Sequence, residues 1–433
     1  MTRKSSTFTL IGILLLGSFA LLFAPPVAAS EQAWRVMLIC SAALSIAFLY
    51  FLFERGLGPD CVIDLDVRKT HFVQAIAQGS IYFFVGIYYP GVAQWAPFII
   101  YQLIVAFVFD FLVSVFRHNR YKLGFQVFPI VLSINLFMWF KPEYYAGQLA
   151  MIVAAILAKN YIVRTVEGRT RHIFNPSALP MAITTVLIVL MLNAEYMLNT
   201  NNVVTSYLLA PHFQLFVFVM GMFSHLAGRV SFISLGAVAT LFVVDRVFTA
   251  IAGLPPMGDI LQPSVFVGIT LLVTDPVTSP KTRTGQLIYG SLYGIMIVIG
   301  YITLNHFGFP RYYDKILPVP ILNFLAPYLD RIKVPLWGPM KSPVWQGTWA
   351  PAALYAVVFL AMLPTVERAF LRRTYFIENP TRATARDPQR RQPLDPQLAV
   401  LVRQRIAQRC ADDPTLEACR LLPPPPPRPP GGV

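Results

Sequence analysis

The stretches 8–29, 72–109, 123–140, 173–194 and 196–228 of this 433-residue chain contain no Asp, Glu, Lys or Arg. A bilayer core about 30 Å thick takes roughly 20 apolar residues per helix, so several runs are long enough to cross once and two to cross twice. Outer-membrane barrels show short alternating segments instead, which excludes that class. Only 13% of residues are charged and 56% are apolar, whereas soluble domains carry about a quarter charged residues. The expected fold is an all-α polytopic membrane protein with about ten to twelve transmembrane helices.

Candidate membrane segments fall at 8–28, 33–53, 72–89, 94–116, 123–140, 146–163, 176–195, 206–226, 230–251, 263–274, 286–305 and 349–368. Threaded from a cytoplasmic N-terminus, the basic loops 117–122, 164–172 and 275–285 fall inside, as positive charge requires, and so does the tail from Arg368. The 306–348 segment is expected as a long outer loop, and its five Lys/Arg are an exception to the rule. The start imitates a secretory signal ending at 27–30, but an uncleaved first helix is the favoured reading, because Pro25-Pro26 can simply end a span. Segments 146–163 and 263–274 are poor ordinary spans, so broken or re-entrant backbone is expected there. Four regions follow: N-terminal helices and a cytoplasmic loop (1–70), a membrane core (71–310), the outer loop with the last helix (311–374), and a basic, proline-rich cytoplasmic tail (375–433).

The net charge of +14 reflects loops and tail rather than a nucleic-acid surface. Cys40, Cys61, Cys410 and Cys419 match no metal spacing or disulfide framework, and no metal site is expected. His212 and His225 lie thirteen residues apart, about 220° around a helix, which does not suit paired haem ligation. Walker, GxGxxG, GxSxG and HExxH patterns are absent, so ATP-driven transport within this chain is not expected. Polar residues inside spans carry more weight. Asp110 and Asn135 are candidates for an ion path, with an Asp110–Arg117 pair as the structural alternative. Asp245 and Arg246 can reach an interface, and Lys159 is close enough to the surface to snorkel.

Two loops share a pattern of Asx-Pro, three residues, then Pro: Asn175-Pro176-Ser177 through Pro180, and Thr274-Asp275-Pro276-Val277-Thr278-Ser279-Pro280. Asn and Asp cap helices and Pro suits the first turn, so each loop is expected to open a helix with free amide donors. Such termini attract anions, including phosphate. Paired interruptions in two halves also predict an internal repeat with its site at the repeat interface.

The stretch 265–280, with Gly285, Gly290 and Gly294, resembles the TDPV(T/S)SP signature of the RnfD/NqrB family, and 172–178 resembles that family's FNPAA motif. The resemblance covers roughly 70–310. It implies a urea-transporter-like inverted repeat of five helices and a subunit of a membrane electron-transport complex, linked to FMN or riboflavin. Under it, Asn175, Pro176, Ser177, Thr274, Asp275, Thr278 and Ser279 would line a cofactor cavity, with Lys281 and Arg283 adding charge. The family's SGAT segment, whose Thr holds FMN covalently, is missing; Thr205 lies in a similar place without the motif, which argues against a covalent link. Such a divergent branch is similar to RnfD-like membrane proteins of enediyne biosynthesis clusters.

The function expected is therefore flavin-linked transmembrane electron transfer in a bacterial inner membrane, with both termini cytoplasmic and with membrane redox subunits as partners. If catalytic, the chain would act as a subunit of a membrane oxidoreductase. A non-redox transporter or channel on the same fold, without cofactor, is the alternative, as is an accessory protein of a natural-product pathway.

Overall fold

The computed structural model describes residues 3–55, 62–166, 168–210, 212–252, 262–332 and 349–378, with isolated positions at 400, 404 and 407. The proline-rich tail, Cys61, Cys410 and Cys419 lie outside the described residues. The described residues are mostly helical, as a bilayer demands of spanning backbone. Its helices are α1 (Arg3–Ala20), α2 (Pro25–Ala28), α3 (Glu31–Arg55), α4 (Lys69–Tyr88), α5 (Gly91–His118), α6 (Val127–Phe137), α7 (Tyr145–Tyr161) and α8 (Ala178–Thr184). They continue as α9 (Thr200–Leu209), α10 (Phe213–Gly228), α11 (Ser231–Ala252), α12 (Pro263–Val267), α13 (Arg283–His306), α14 (Pro318–Leu329) and α15 (Trp349–Glu378). Among the described residues, four helices are both long and apolar enough to cross a membrane: 6–23, 31–54, 91–118 and 283–306. Most of the other expected spans are shorter or broken.

The N-terminal hairpin of α1 and α3 packs on α5 through edge-to-face rings, with Phe8 and Phe51 each 5.8–5.9 Å from Phe111. Asn119, left-handed at φ 51°, ends α5 and returns its N–H to the Val115 carbonyl. The chain then forms β2 (Arg120–Leu123), which pairs in parallel with β1 (Val62–Leu65). A hairpin of β3 (Val163–Val166) and β4 (Arg169–His172) follows α7. These strands and the loop at 274–282 share one end of the bundle, called the loop face below.

Two half-length helices end inside the protein, and their freed backbone groups are paired. After α6, Trp139 O accepts from Asn199 N at 2.6 Å and Lys141 N donates to Met197 O at 2.9 Å. Gln148 clasps the same break, accepting from Phe140 N at 2.9 Å and donating to Met138 O. The second case begins at α12, which continues as a π-helical stretch over Gly268–Leu272, ten residues in all. Each successive carbonyl there finds a side chain from elsewhere: Ile269 O takes Ser234 Oγ at 2.8 Å, and Thr270 O takes His225 Nε2 at 3.0 Å. Leu271 O faces Gln74 Nε2 at 3.5 Å, and Leu272 O takes Asn175 Nδ2 at 2.8 Å. His225 thus uses Nε2 to satisfy the broken helix.

One expectation is corrected. Residues 311–332 do not form a solvated outer loop. From the far end of α13 the chain turns inward: Asp314 packs against Gly300, and Lys315 lies beside Gly268 and Tyr293. From there α14 descends to the loop face, where Asp330 Oδ1 accepts from Lys281 N and Thr282 N at 2.7 and 2.8 Å. The apolar residues Val319, Leu322 and Ala326 of this segment are buried, and burying them drives its re-entry. The last helix is affected too. Tyr355 lies 5.6 Å from His225, near the end of α10 that meets Pro276, whereas Phe359 stacks on Phe218 further from it at 4.4 Å. Helix α15 therefore runs away from the loop face.

Candidate functional site

At the loop face the two proline loops are brought together. Asn175 folds back on its own chain: its Oδ1 accepts from Ser177 N at 3.0 Å, Ser177 Oγ at 2.7 Å and Ala178 N at 3.3 Å. This caps the start of α8, as Asx residues do. Asp275 repeats the turn, Oδ1 accepting from Val277 N at 3.1 Å and Oδ2 from Thr278 Oγ1 at 2.9 Å. The strands β3 and β4 carry His172 to 3.5 Å from Asp275 Oδ2. Burial resists ionisation of Asp275, but His172 and the donors from Val277 and Thr278 outweigh it and hold the carboxyl at about 2.

Asn323 of α14 joins the loops. Its Oδ1 accepts from Asn175 N at 2.8 Å, and its Nδ2 donates to Tyr289 Oη at 2.8 Å and to Thr278 Oγ1 at 3.2 Å. Sequence reasoning missed it because it lies in the supposed outer loop. The signal available was a lone amide in an apolar helix, which in a membrane must find a partner. Pro176 starts the buried turn into α8, Thr274 Oγ1 donates to Thr270 O at 2.7 Å, and Ser279 is buried with its Oγ unpaired.

The expected anion cradle is not formed. Donors at Ser177 and Ala178 are taken by Asn175, and the donor at Val277 by Asp275. Helix α13 begins at Arg283, not at Pro276, and Thr282 caps it by accepting from Gly285 N at 3.1 Å. The adjacent amides of Lys281 and Thr282 already hold the Asp330 carboxylate. Lys281 Nζ turns onto the carbonyls of Pro276, Val277 and Ser279, clamping its own loop; burial lowers its proton affinity. In this arrangement Asn175, Ser177, Thr274, Asp275 and Thr278 do not fit a flavin phosphate, because their polar atoms are spent on one another and on backbone. Thr205 belongs to α9 and its side chain lies outside the described residues.

The two ion-path candidates are separate. Asp110 pairs with Lys159, whose Nζ lies 2.9 Å from both carboxylate oxygens, and not with Arg117. Asn160 Nδ2 and Gln126 Nε2 complete its shell at 3.0 Å each. Arg117 instead donates to Asn160 O and lies over the Tyr161 ring. Lys159 does not snorkel, because Asp110 holds it. Asn135 Nδ2 donates to Gln102 Oε1 at 2.6 Å and to Val131 O, well along α6.

Comparison with known proteins adds short matches. A subunit of the ion-translocating oxidoreductase complex of Tolumonas auensis is 34% identical over 77 residues, 18% of this chain and 20% of that protein. The same subunit from Cellvibrio japonicus is 30% identical over 89 residues (20% and 24%), and that from Shewanella loihica 32% over 103 residues (23% and 27%). The chain thus matches about a fifth to a quarter of the length of these curated relatives. No family model matches the chain, and no solved structure matches it.

Proposed function

We propose that this chain is a multi-pass inner-membrane subunit of an electron-transport complex, of the kind its relatives' names describe. The observation that carries the reading is the convergence of the two loops. The Asn-Pro and Asp-Pro motifs, one hundred residues apart, close on each other through Asn175, Leu272 and Asn323. Similarity to one and the same ion-translocating oxidoreductase subunit in three organisms supports it. Membrane redox subunits are the partners proposed.

Flavin, if bound, sits elsewhere than on the loop donors, because those are satisfied internally. The same observation favours a second reading, a transporter or channel without redox chemistry. An absorption spectrum of the detergent-purified protein, with flavin assayed before and after denaturation, separates the two. Stoichiometric flavin, or co-purification with redox-active subunits, supports the first. A colourless protein that transports a solute in liposomes without electron flow refutes it.

A further inference from the structure

The hairpin that follows α7 carries two arginines face to face. Arg164 of β3 and Arg171 of β4 are Cα partners in its antiparallel register, and the Cβ atoms of such partners are about 5 Å apart. Like charges directly opposite each other destabilise a strand pair, and here both residues are partly buried. Arg164 Nε is buried without an acceptor. Guanidinium groups held together and partly out of water call for a counter-charge.

The residues around them do not provide it. Among the described residues no carboxylate lies within ion-pair distance of either arginine. Successive rungs of a strand pair alternate faces, and the neighbouring rung, Val163 with His172, is the one that carries His172 to Asp275. The arginine rung therefore belongs to the other face of the hairpin. The carboxylates of the loop face are also spent: Asp275 on His172, Val277 N and Thr278, and Asp330 on the amides of Lys281 and Thr282. Lys281 adds a third cation; burial above all lowers its proton affinity, and the fields of Arg171 and Arg164 add to that against Asp275 and Asp330.

Fork geometry and depth select the partner. A carboxylate is saturated by one bidentate guanidinium, whereas a phosphate has oxygens enough for a pair of them. Strand β3 starts directly after Tyr161 and Ile162, which are 55% and 39% exposed. Exposed aromatic and apolar residues at a helix end form the belt that lies at headgroup level. Arg117 lies over the Tyr161 ring at the same level. Basic pockets at this depth are where membrane proteins hold anionic headgroups.

We propose that Arg164 and Arg171 together form a phosphate-binding site at the loop face, gripping one phosphate group between their guanidinium forks. The site is built from side chains and is distinct from the loop amides, which are satisfied internally. It does not depend on whether the chain transfers electrons. Its phosphate is a lipid headgroup's or that of a soluble compound, and two settings separate these sources.

In detergent, inorganic phosphate titrated into the full chain at fixed ionic strength should raise the thermal midpoint, as a ligand of the folded state does, whereas acetate and chloride should not. In nanodiscs, phosphatidylglycerol added to phosphatidylcholine should raise it likewise. Arg164→Gln and Arg171→Gln should each increase the half-saturating phosphate concentration at least about tenfold, as loss of a charge-assisted fork does. Arg164→Lys and Arg171→Lys keep the charge but not the fork, and they carry the test if the Gln variants do not fold. Arg120→Gln removes an arginine already paired with Asp64 and should respond like the wild type. A response to phosphatidylglycerol alone assigns the site to a lipid headgroup, a response to phosphate alone to a soluble ligand, and a response to both to a site open to either. No response to either, an equal response to acetate, a response that survives substitution of Arg164 and Arg171, or one lost equally in Arg120→Gln overturns the site.

Discussion

Asn323 does more than its single position suggests. It satisfies one loop through Asn175 N and the other through Thr278, and it anchors Tyr289 of α13. Replacing Asn323 by Leu strands these groups in an apolar setting, at about 1–3 kcal/mol for each one left unpaired. The expected result is a lower thermal midpoint in detergent and faster proteolysis at 173–178 and 274–282. Asp275 has a pH signature. Its folded pKa, about 2, lies below the ordinary 3.8, so its contribution is complete above pH 4 and is lost as pH falls toward 2. The difference amounts to about 2 kcal/mol. Unfolding of the wild type and of Asp275→Asn, followed from pH 5 downward, should converge near pH 2. Asn175 and Asp275 were legible in the sequence because an Asx before Pro has few local options. Asn323 was not, since one amide among apolar residues carries no spacing; only the assembled fold shows what it joins.

Between elements, the closest approach is that of α11 to α13. A Cβ on Gly290 would fall on the Ile233 carbonyl, one on Gly236 on Leu287 O, and one on Gly294 at 3.0 Å from Ala237 O. Small residues that let backbones touch are the usual device where lipid offers no hydrophobic drive between helices. Gly290→Ala must push the helices apart, with an expected loss of about 1–3 kcal/mol, measurable as a fall in midpoint, whereas Gly12→Ala, with open space, should change little. The Asp110–Lys159 pair predicts a larger effect. Lys159→Met leaves a buried carboxylate uncompensated at about 3–5 kcal/mol, which Asp110→Asn in the same molecule should largely restore. Long uncharged runs announced the helices. They could not announce that α6 stops at Phe137, because that end is completed by Asn199, far on in the chain; the short 263–274 segment was legible, but not the His225 and Ser234 donors that satisfy it.

For the whole molecule, the return of 311–332 to the loop face adds one crossing, so α15 leaves toward the opposite side. Charge alone placed the tail with the basic loops. The described end of α15 thus points away from the loop face, near which α1 begins, and we expect the residues that follow it on the side opposite the N-terminus. Cys410 and Cys419 test this with a membrane-impermeant maleimide. With the basic loops inside, intact cells should be labelled at the tail, and the label should vanish when both are replaced by Ser; labelling only after lysis would restore the topology expected from charge. The four hydrogen bonds to carbonyls 269–272 have a consequence for synthesis. A ten-residue segment is too short for the insertion machinery to hold in lipid by itself, and its donors come from α4, α10, α11 and the 175 loop. All four precede it in the chain. It can settle only into a cradle already assembled by what was made before it, which makes this segment a checkpoint on the order of assembly.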